Sequence, residues 1–291
     1  MTVPAAPRGW FELLLDEDDA EGLGLPDAFR AVYGGDWLLP LRDQYIYVNF
    51  VVARDGRVSF ADPGHAGGGD VSGFDAHDQW LMGLLRARSD AVMMGDGTLA
   101  SEPGHLWTAE FICPTDGEAF AALRRLEGRR PEPLAVFVSL RGELPWDASV
   151  FAEPAAEIVI ATTASGARAV EAAGPSVAGR LDVLAFGDDE VDLRSLAGAL
   201  AARFGVERLL CEGGPRLYGS LLRARLQCDE FVTLSPLVLG DDGVSGLRRP
   251  SLVEGVRFEV DGAPRSRLIS VRRAGDHLFL RSRYSGVDRA S

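Results

Sequence analysis

The stretch RLLCEGGPRLYGSLL, Arg208 to Leu222, decides the fold. Four residues read as a buried strand. They end at Glu212, two glycines and a proline follow, and a helical pattern begins. In a parallel α/β sheet, ligands bind beyond the carboxyl ends of the strands, where turns feed helix N-termini. Glycine there removes the Cβ atom, so a ligand phosphate can approach backbone N–H groups directly. Pro215 falls near the first helical position, where its missing N–H costs nothing. A double glycine can equally be a plain tight turn.

A second stretch has the same construction. MMGDGTLASEP, Met93 to Pro103, puts Gly95 and Gly97 at the end of another short strand, AVMMG. Two such strand ends in one sheet can hold opposite parts of one extended ligand. Neither is a P-loop, because no Gly-Lys-Ser/Thr follows, and neither reads GxGxxG.

Before and between them, strands and helices alternate. YIYVNFVVA (Tyr45–Ala53) is a strand and FDAHDQWLMGLLRARSD (Phe74–Asp90) a helix with Leu81, Leu84, Leu85 and Arg88 on one side. Helices over 116–128, 165–174 and 191–205 separate strands over 134–140, 157–161 and 182–186. That alternation predicts a mainly parallel sheet with helices on both faces. The C-terminal runs DEFVTLSPLVLG, VRFEV, RLISVRR and HLFLRSRY have no helical pattern between them and predict antiparallel strands. Residues 1–41 read as an acidic, partly helical extension, and 42–291 as one domain.

Of the 291 residues, 46% are hydrophobic and 25% charged, ordinary values for a globular chain. A net charge of -13 argues against nucleic-acid binding through bulk electrostatics, so an anionic ligand must meet local arginines and helix N-termini. Cys113, Cys211 and Cys228 lack CxxC spacing and fit a reducing compartment. No segment approaches the ~20 apolar residues of a membrane span. The expected location is the cytoplasm.

Three blocks carry a resemblance: NFVVARDGRV (Asn49–Val58), LLRARSDAVMMGDGTLASEP (Leu84–Pro103) and LLCEGGPRLYGSLLRARLQCDEFVTLSPLVLGDD (Leu209–Asp242). In this order they resemble the reductase domain of bacterial riboflavin biosynthesis. That resemblance implies a dihydrofolate-reductase-like three-layer fold, NADPH as cofactor, a homodimer joined through the C-terminal strands, and a 5-amino-6-(5-phosphoribosylamino)uracil reductase-like activity. The zinc deaminase domain carried by many members has no counterpart here, since the four histidines are scattered and no Pro-Cys-x-x-Cys exists. No metal is expected.

The resemblance also implies site residues. Gly213, Gly214, Pro215, Arg216, Leu217, Tyr218, Gly219 and Ser220 would wrap the cofactor, with Gly95, Gly97 and Thr98 opposite. Glu102 would lie near a cofactor ribose, Ser139 at the adenosine end with Arg141 a candidate for the 2′-phosphate, and Val51 beside the nicotinamide. Ser72, Arg86, Leu106 and Glu212 would meet the substrate. Arg86 lies off the leucine stripe and need not be buried; it would offer its fork to a phosphate. Glu212 would take the donors of the pyrimidine edge, or brace a loop. Asp55 is a catalytic candidate with Glu212, although Asp-Gly between two strand-like runs is also the strongest hairpin signal. Ala53 stands where the family usually has serine or threonine, and Ala100 replaces a common arginine. These departures keep two alternatives in view: a dihydropterin or other heterocycle as substrate, and an NADPH-binding protein without turnover.

Overall fold

The computed structural model describes residues 2–40, 44–227, 229–244 and 248–284. In chain order they form β1 (Glu12–Asp16), β2 (Gly22–Leu23), α1 (Asp27–Tyr33), β3 (Leu39–Pro40), β4 (Tyr45–Val52), α2 (Gly68–Ser72), α3 (Ala76–Ala87), β5 (Ala91–Gly95), α4 (Asp96–Ser101), α5 (Ala109–Ile112) and α6 (Gly117–Leu126). Next come β6 (Leu134–Val138), α7 (Ser149–Ala152), β7 (Glu157–Thr162), α8 (Ala164–Ala173), β8 (Arg180–Ala185), α9 (Leu193–Phe204), β9 (Arg208–Cys211), α10 (Pro215–Ala224), β10 (Asp229–Leu234), β11 (Ser266–Ala274) and β12 (His277–Tyr284).

One sheet runs in the order β1-β11-β12-β10-β4-β9-β5-β6-β7-β8. From β10 to β8 every pairing is parallel, and β10-β12, β12-β11 and β11-β1 are antiparallel. The central strands are buried on both sides; all eight residues of β4 are. Their side chains alternate as a pleated strand requires. Tyr45, Tyr47, Val92 and Met94 pack under α1, α3 and α6. Ile46, Val48, Ala91 and Met93 pack over α9 and α10. This is the three-layer mixed sheet that the sequence predicts.

Two readings of the C-terminal part need correction. β10 pairs in parallel with β4, so it belongs to the parallel block and only its other edge is antiparallel. Val256–Val260 is not a strand. Its residues have strand-like composition but pair with no strand of the sheet; β12 is paired on both sides, and β1 occupies the outer edge of β11.

Residues 2–40 carry side chains that are built into this core. Phe11, Phe29, Tyr33 and Trp37 are buried in the same apolar cluster as Trp80, Leu84 and Phe120. Arg88, on the leucine side of α3, donates to the carbonyls of Leu23 and Trp37 and pairs with Glu127. The boundary read at 41/42 itself falls outside the described residues, as does Cys228.

Candidate active site

β4, β9 and β5 are neighbours whose ends are in register: Val48 pairs with Cys211, and Cys211 with Met93. Asn49, Glu212 and the glycines that follow therefore emerge together at the carboxyl end of the sheet. The two glycine stretches touch. The Gly95 N–H donates to the Gly213 carbonyl at 2.9 Å. A Cβ on Gly95 would lie 3.7 Å from the Gly214 nitrogen, and one on Gly214 would lie 3.5 Å from the Thr98 hydroxyl. Gly213 has φ +111° and is joined to Gly214 by a cis peptide bond. Only glycine occupies that φ without strain.

Above this seam opens a cavity of about 1370 Å³. Single-ligand sites usually hold roughly 300–1,000 Å³, so there is room for two molecules side by side. Of the residues implied by the sequence, Val51, Ser72, Arg86, Gly95, Gly97, Thr98, Glu102, Glu212, Gly214, Pro215, Arg216, Leu217 and Ser220 line it. Gly214 caps α10 and Pro215 opens it, so the backbone at the start of this helix borders the cavity.

Six others do not line it. Tyr218 and Gly219 face inward on α10: Tyr218 packs on Phe50 and reaches Glu230, and a Cβ on Gly219 would strike the Glu254 carbonyl at 2.4 Å. Gly213 is buried under the seam. Ser139 is 1% exposed and donates to the Asp96 carboxylate at 2.7 Å, while its neighbours Val138, Leu140 and Arg141 take the lining positions. Leu106 offers only its carbonyl, to Arg86. Asp55 sits in an exposed turn, where its carboxylate accepts from the Leu239 and Gly240 N–H groups; the turn reading accounts for it.

Arg86 differs from expectation most. Its side chain is 2% exposed and forms a bidentate pair with Glu212, itself 7% exposed, at 2.7–3.2 Å. Its remaining N–H groups go to the Leu106 and Thr108 carbonyls and to His105 Nε2. All five guanidinium donors are used, which leaves none for a phosphate. Arg86 instead ties α3, the end of β9 and the 105–108 loop together. Because His105 Nε2 accepts, the ring is neutral with its proton on Nδ1. Burial, then the Arg86 charge, push its pKa down to about 2. Glu102 is raised by burial and by the Glu212 and Asp70 charges against the pull of Arg86.

Other lining residues were not singled out in the sequence. Asn49 and Asp78 are 6% and 4% exposed. A signal for Asp78 existed: at ~100° per residue, Asp78, Gln79, Met82 and Arg86 fall on one arc of α3, beside the arc of Leu81, Leu84, Leu85 and Arg88. The first arc lines the cavity and the second the core. Ala53 and Ala100 lie outside the lining; Ala53 packs in a small cluster with Val51, Val71 and Leu239. Among the described residues no cluster of His, Cys, Asp and Glu could hold a metal, and no helix is long and apolar enough to cross a membrane.

The comparisons with known proteins agree with this architecture. A family model described as the RibD C-terminal domain matches residues 44–280. The 2,5-diamino-6-ribosylamino-4(3H)-pyrimidinone 5′-phosphate reductase of Archaeoglobus fulgidus is 26% identical over 83% of this chain and 98% of its own. The protein of the same name from Methanothermobacter thermautotrophicus is 25% identical over 74% and 90%. A pyrimidine reductase-like protein of Corynebacterium diphtheriae superposes with TM-score 0.66 at 18% identity, over 88% of this chain and 98% of its own, and shows the fold.

Proposed function

The chain belongs to the RibD C-terminal domain family, reductases of riboflavin biosynthesis, and from that premise we propose that it reduces the ribosylamino group of a 6-(ribosylamino)pyrimidine 5′-phosphate to a ribitylamino group with NADPH. The observation that carries this reading is the contact between the two glycine strand ends. They form a seam without Cβ atoms beneath a cavity with room for a dinucleotide and a second molecule.

The cavity's residues suit such a cofactor. The seam and the first turn of α10 offer N–H groups to a pyrophosphate. Arg216 is exposed in that first turn, lines the cavity and has no ion pair among the described residues. It is the group we assign to the 2′-phosphate that distinguishes NADPH from NADH. When bound, the cofactor supplies a hydride, and the chain's own residues orient the reacting groups and exclude water. Val51 closes the inner wall, and the Arg86–Glu212 pair holds the 105–108 loop as the roof. Glu212 has oxygen lone pairs left for a pyrimidine donor.

We also place the reaction in the cytoplasm, consistent with free Cys113 and Cys211. We propose a homodimer joined through the C-terminal strands, with the exposed Leu13 and Leu14 of β1 at the adjoining sheet edge, which sedimentation of a Leu14→Lys variant would test. The activity itself is tested by following the absorbance of reduced nicotinamide with authentic pyrimidine substrate. Loss of absorbance only when the pyrimidine is present is the expected result, and none at any pyrimidine concentration rejects the reading. Arg216→Ala should raise KM for NADPH roughly tenfold or more, the worth of a charged hydrogen bond, and leave KM for NADH unchanged.

A further inference from the structure

Helix α3 begins beside the cavity, and its first turn is held by a chain of contacts that leads out to the N-terminal segment. Asp75 caps the helix and accepts from the His77 and Asp78 N–H groups at 2.9 and 3.2 Å. The same carboxylate lies 3.1 Å from the His77 ring nitrogen Nδ1, which donates to it. From the other side His277, which opens β12, stands 3.7 Å from Asp75 through Nδ1 and donates through Nε2 to the Ser72 carbonyl at 3.1 Å. Asp75 thus joins the end of α2 to the start of α3. Ser72 before it, and Gln79 and Met82 after it, line the cavity. Between the helices, Phe74 takes φ +53° without being a glycine. A turn of that kind persists only where the contacts around it fix both of its ends.

Trp10 closes the outer side of this chain. Its ring lies 4.2 Å from the His77 ring, tilted by 43°, and Phe11 meets the same imidazole edge-on at 5.6 Å. With Asp75 on one side and these rings on the other, the imidazole is confined to one place, and its hydrogen bond is shielded from water. Trp10 is only half-buried, and its ring lies nearer to His77 than to Phe11, at 6.1 Å. The strap that carries it is anchored. The Gly9 and Phe11 N–H groups donate to the Ala31 and Val32 carbonyls of α1, and Phe11 is buried against Trp80 and Phe279. Trp10 and Phe11 lie outside residues 44–280, the part of the chain that the family model matches.

We propose that Trp10 and His77 are positioning residues for the reaction. The Trp10 ring holds the His77 imidazole on Asp75, Asp75 holds the first turn of α3, and that turn sets the cavity wall against the substrate. The inference rests on the reductase reading above and gives a segment outside the matched domain a part in it. Neither residue touches the seam of the two glycine stretches, so the cofactor end is independent of this brace.

The test compares the wild type with Trp10→Ala, Trp10→Phe, His77→Ala and the double variant Trp10→Ala/His77→Ala. Three quantities are measured: kcat/KM for the pyrimidine at saturating NADPH, NADPH affinity by cofactor fluorescence, and amide hydrogen exchange over residues 75–79. Trp10→Ala should lower kcat/KM roughly 10- to 100-fold, the range for a small displacement caused far from the reacting atoms. It should also speed exchange at the His77 and Asp78 amides and leave NADPH affinity unchanged. Trp10→Phe keeps a ring over the imidazole and should restore both readings. Because Trp10 acts through His77, the double variant should be no worse than His77→Ala alone. An unchanged kcat/KM in Trp10→Ala, an equal loss of NADPH affinity, or single losses that multiply in the double variant overturns the proposal. Should Trp10→Ala not fold, His77→Ala decides by the same readings. A wild type that binds NADPH but turns over no pyrimidine rejects the reductase reading, whereas the exchange rates still decide whether Trp10 fixes the turn.

Discussion

Removing either member of the Arg86–Glu212 pair strands a charge among buried neighbours, because the guanidinium has no spare donor and the carboxylate no other cation at hydrogen-bond distance among the described residues. Breaking a buried pair costs about 3–5 kcal/mol. Glu212→Gln should therefore lower the melting temperature by roughly 10 °C for a chain of this size. Arg86→Lys should do nearly as much, since an ammonium cannot span five acceptors in a plane. Asp78 should behave in the opposite sense. Its folded pKa of about 6 lies above the ordinary 3.8, so the folded protein holds the proton more tightly than the unfolded chain. The stability this provides is complete below pH 4 and is lost as pH rises through 6. At pH 7.5 the ionised carboxyl costs about 3 kcal/mol. Asp78→Asn should thus melt higher than wild type at pH 7.5 and equal to it near pH 4, checked by thermal melts at the two values. A residue that weakens the fold is one whose retention needs a functional reason.

At the scale of elements, the turn from β9 into α10 separates two kinds of glycine. Gly213, at φ +111°, would carry backbone strain as alanine, about 1–2 kcal/mol, with its Cβ 3.4 Å from the Phe50 ring. Gly214 has φ −80°, and its Cβ would meet only Thr98 at ordinary contact distance. Gly213→Ala should therefore lower stability. Gly214→Ala should leave the melt unchanged but place a methyl in the seam, weakening NADPH roughly 5- to 150-fold, the equivalent of about 1–3 kcal/mol of overpacking. Fluorescence titration and a melt on each variant separate the two. Helix α3 teaches a related point. Its leucine arc was readable from spacing alone, and an arginine off that arc reads as solvated. Arg86, on the cavity-facing arc, is instead covered by the 105–108 loop, a contact made by residues twenty positions away.

At the scale of the whole molecule, the N-terminal residues read as an extension pack as part of the domain, although the matched family model begins at residue 44. β1 covers the outer edge of β11, and Asp18 pairs with the buried Arg281. We propose that this segment is required for folding. Trp37→Ala, emptying a fully buried site under Arg88, should cost about 3–5 kcal/mol in a denaturant melt. Deletion of residues 2–40 should give no cooperative transition. Periodicity, glycine placement and the Glu-Gly-Gly-Pro block were enough for the parallel sheet, its helices and the position of the crevice, because hydrophobic period and backbone freedom are local properties. Which side chains face that crevice, what Arg86 holds, and where Val256–Val260 and residues 2–40 lie were decided only in three dimensions. Each depends on whether a partner from a distant part of the chain arrives to take a hydrogen bond, a charge or a strand edge.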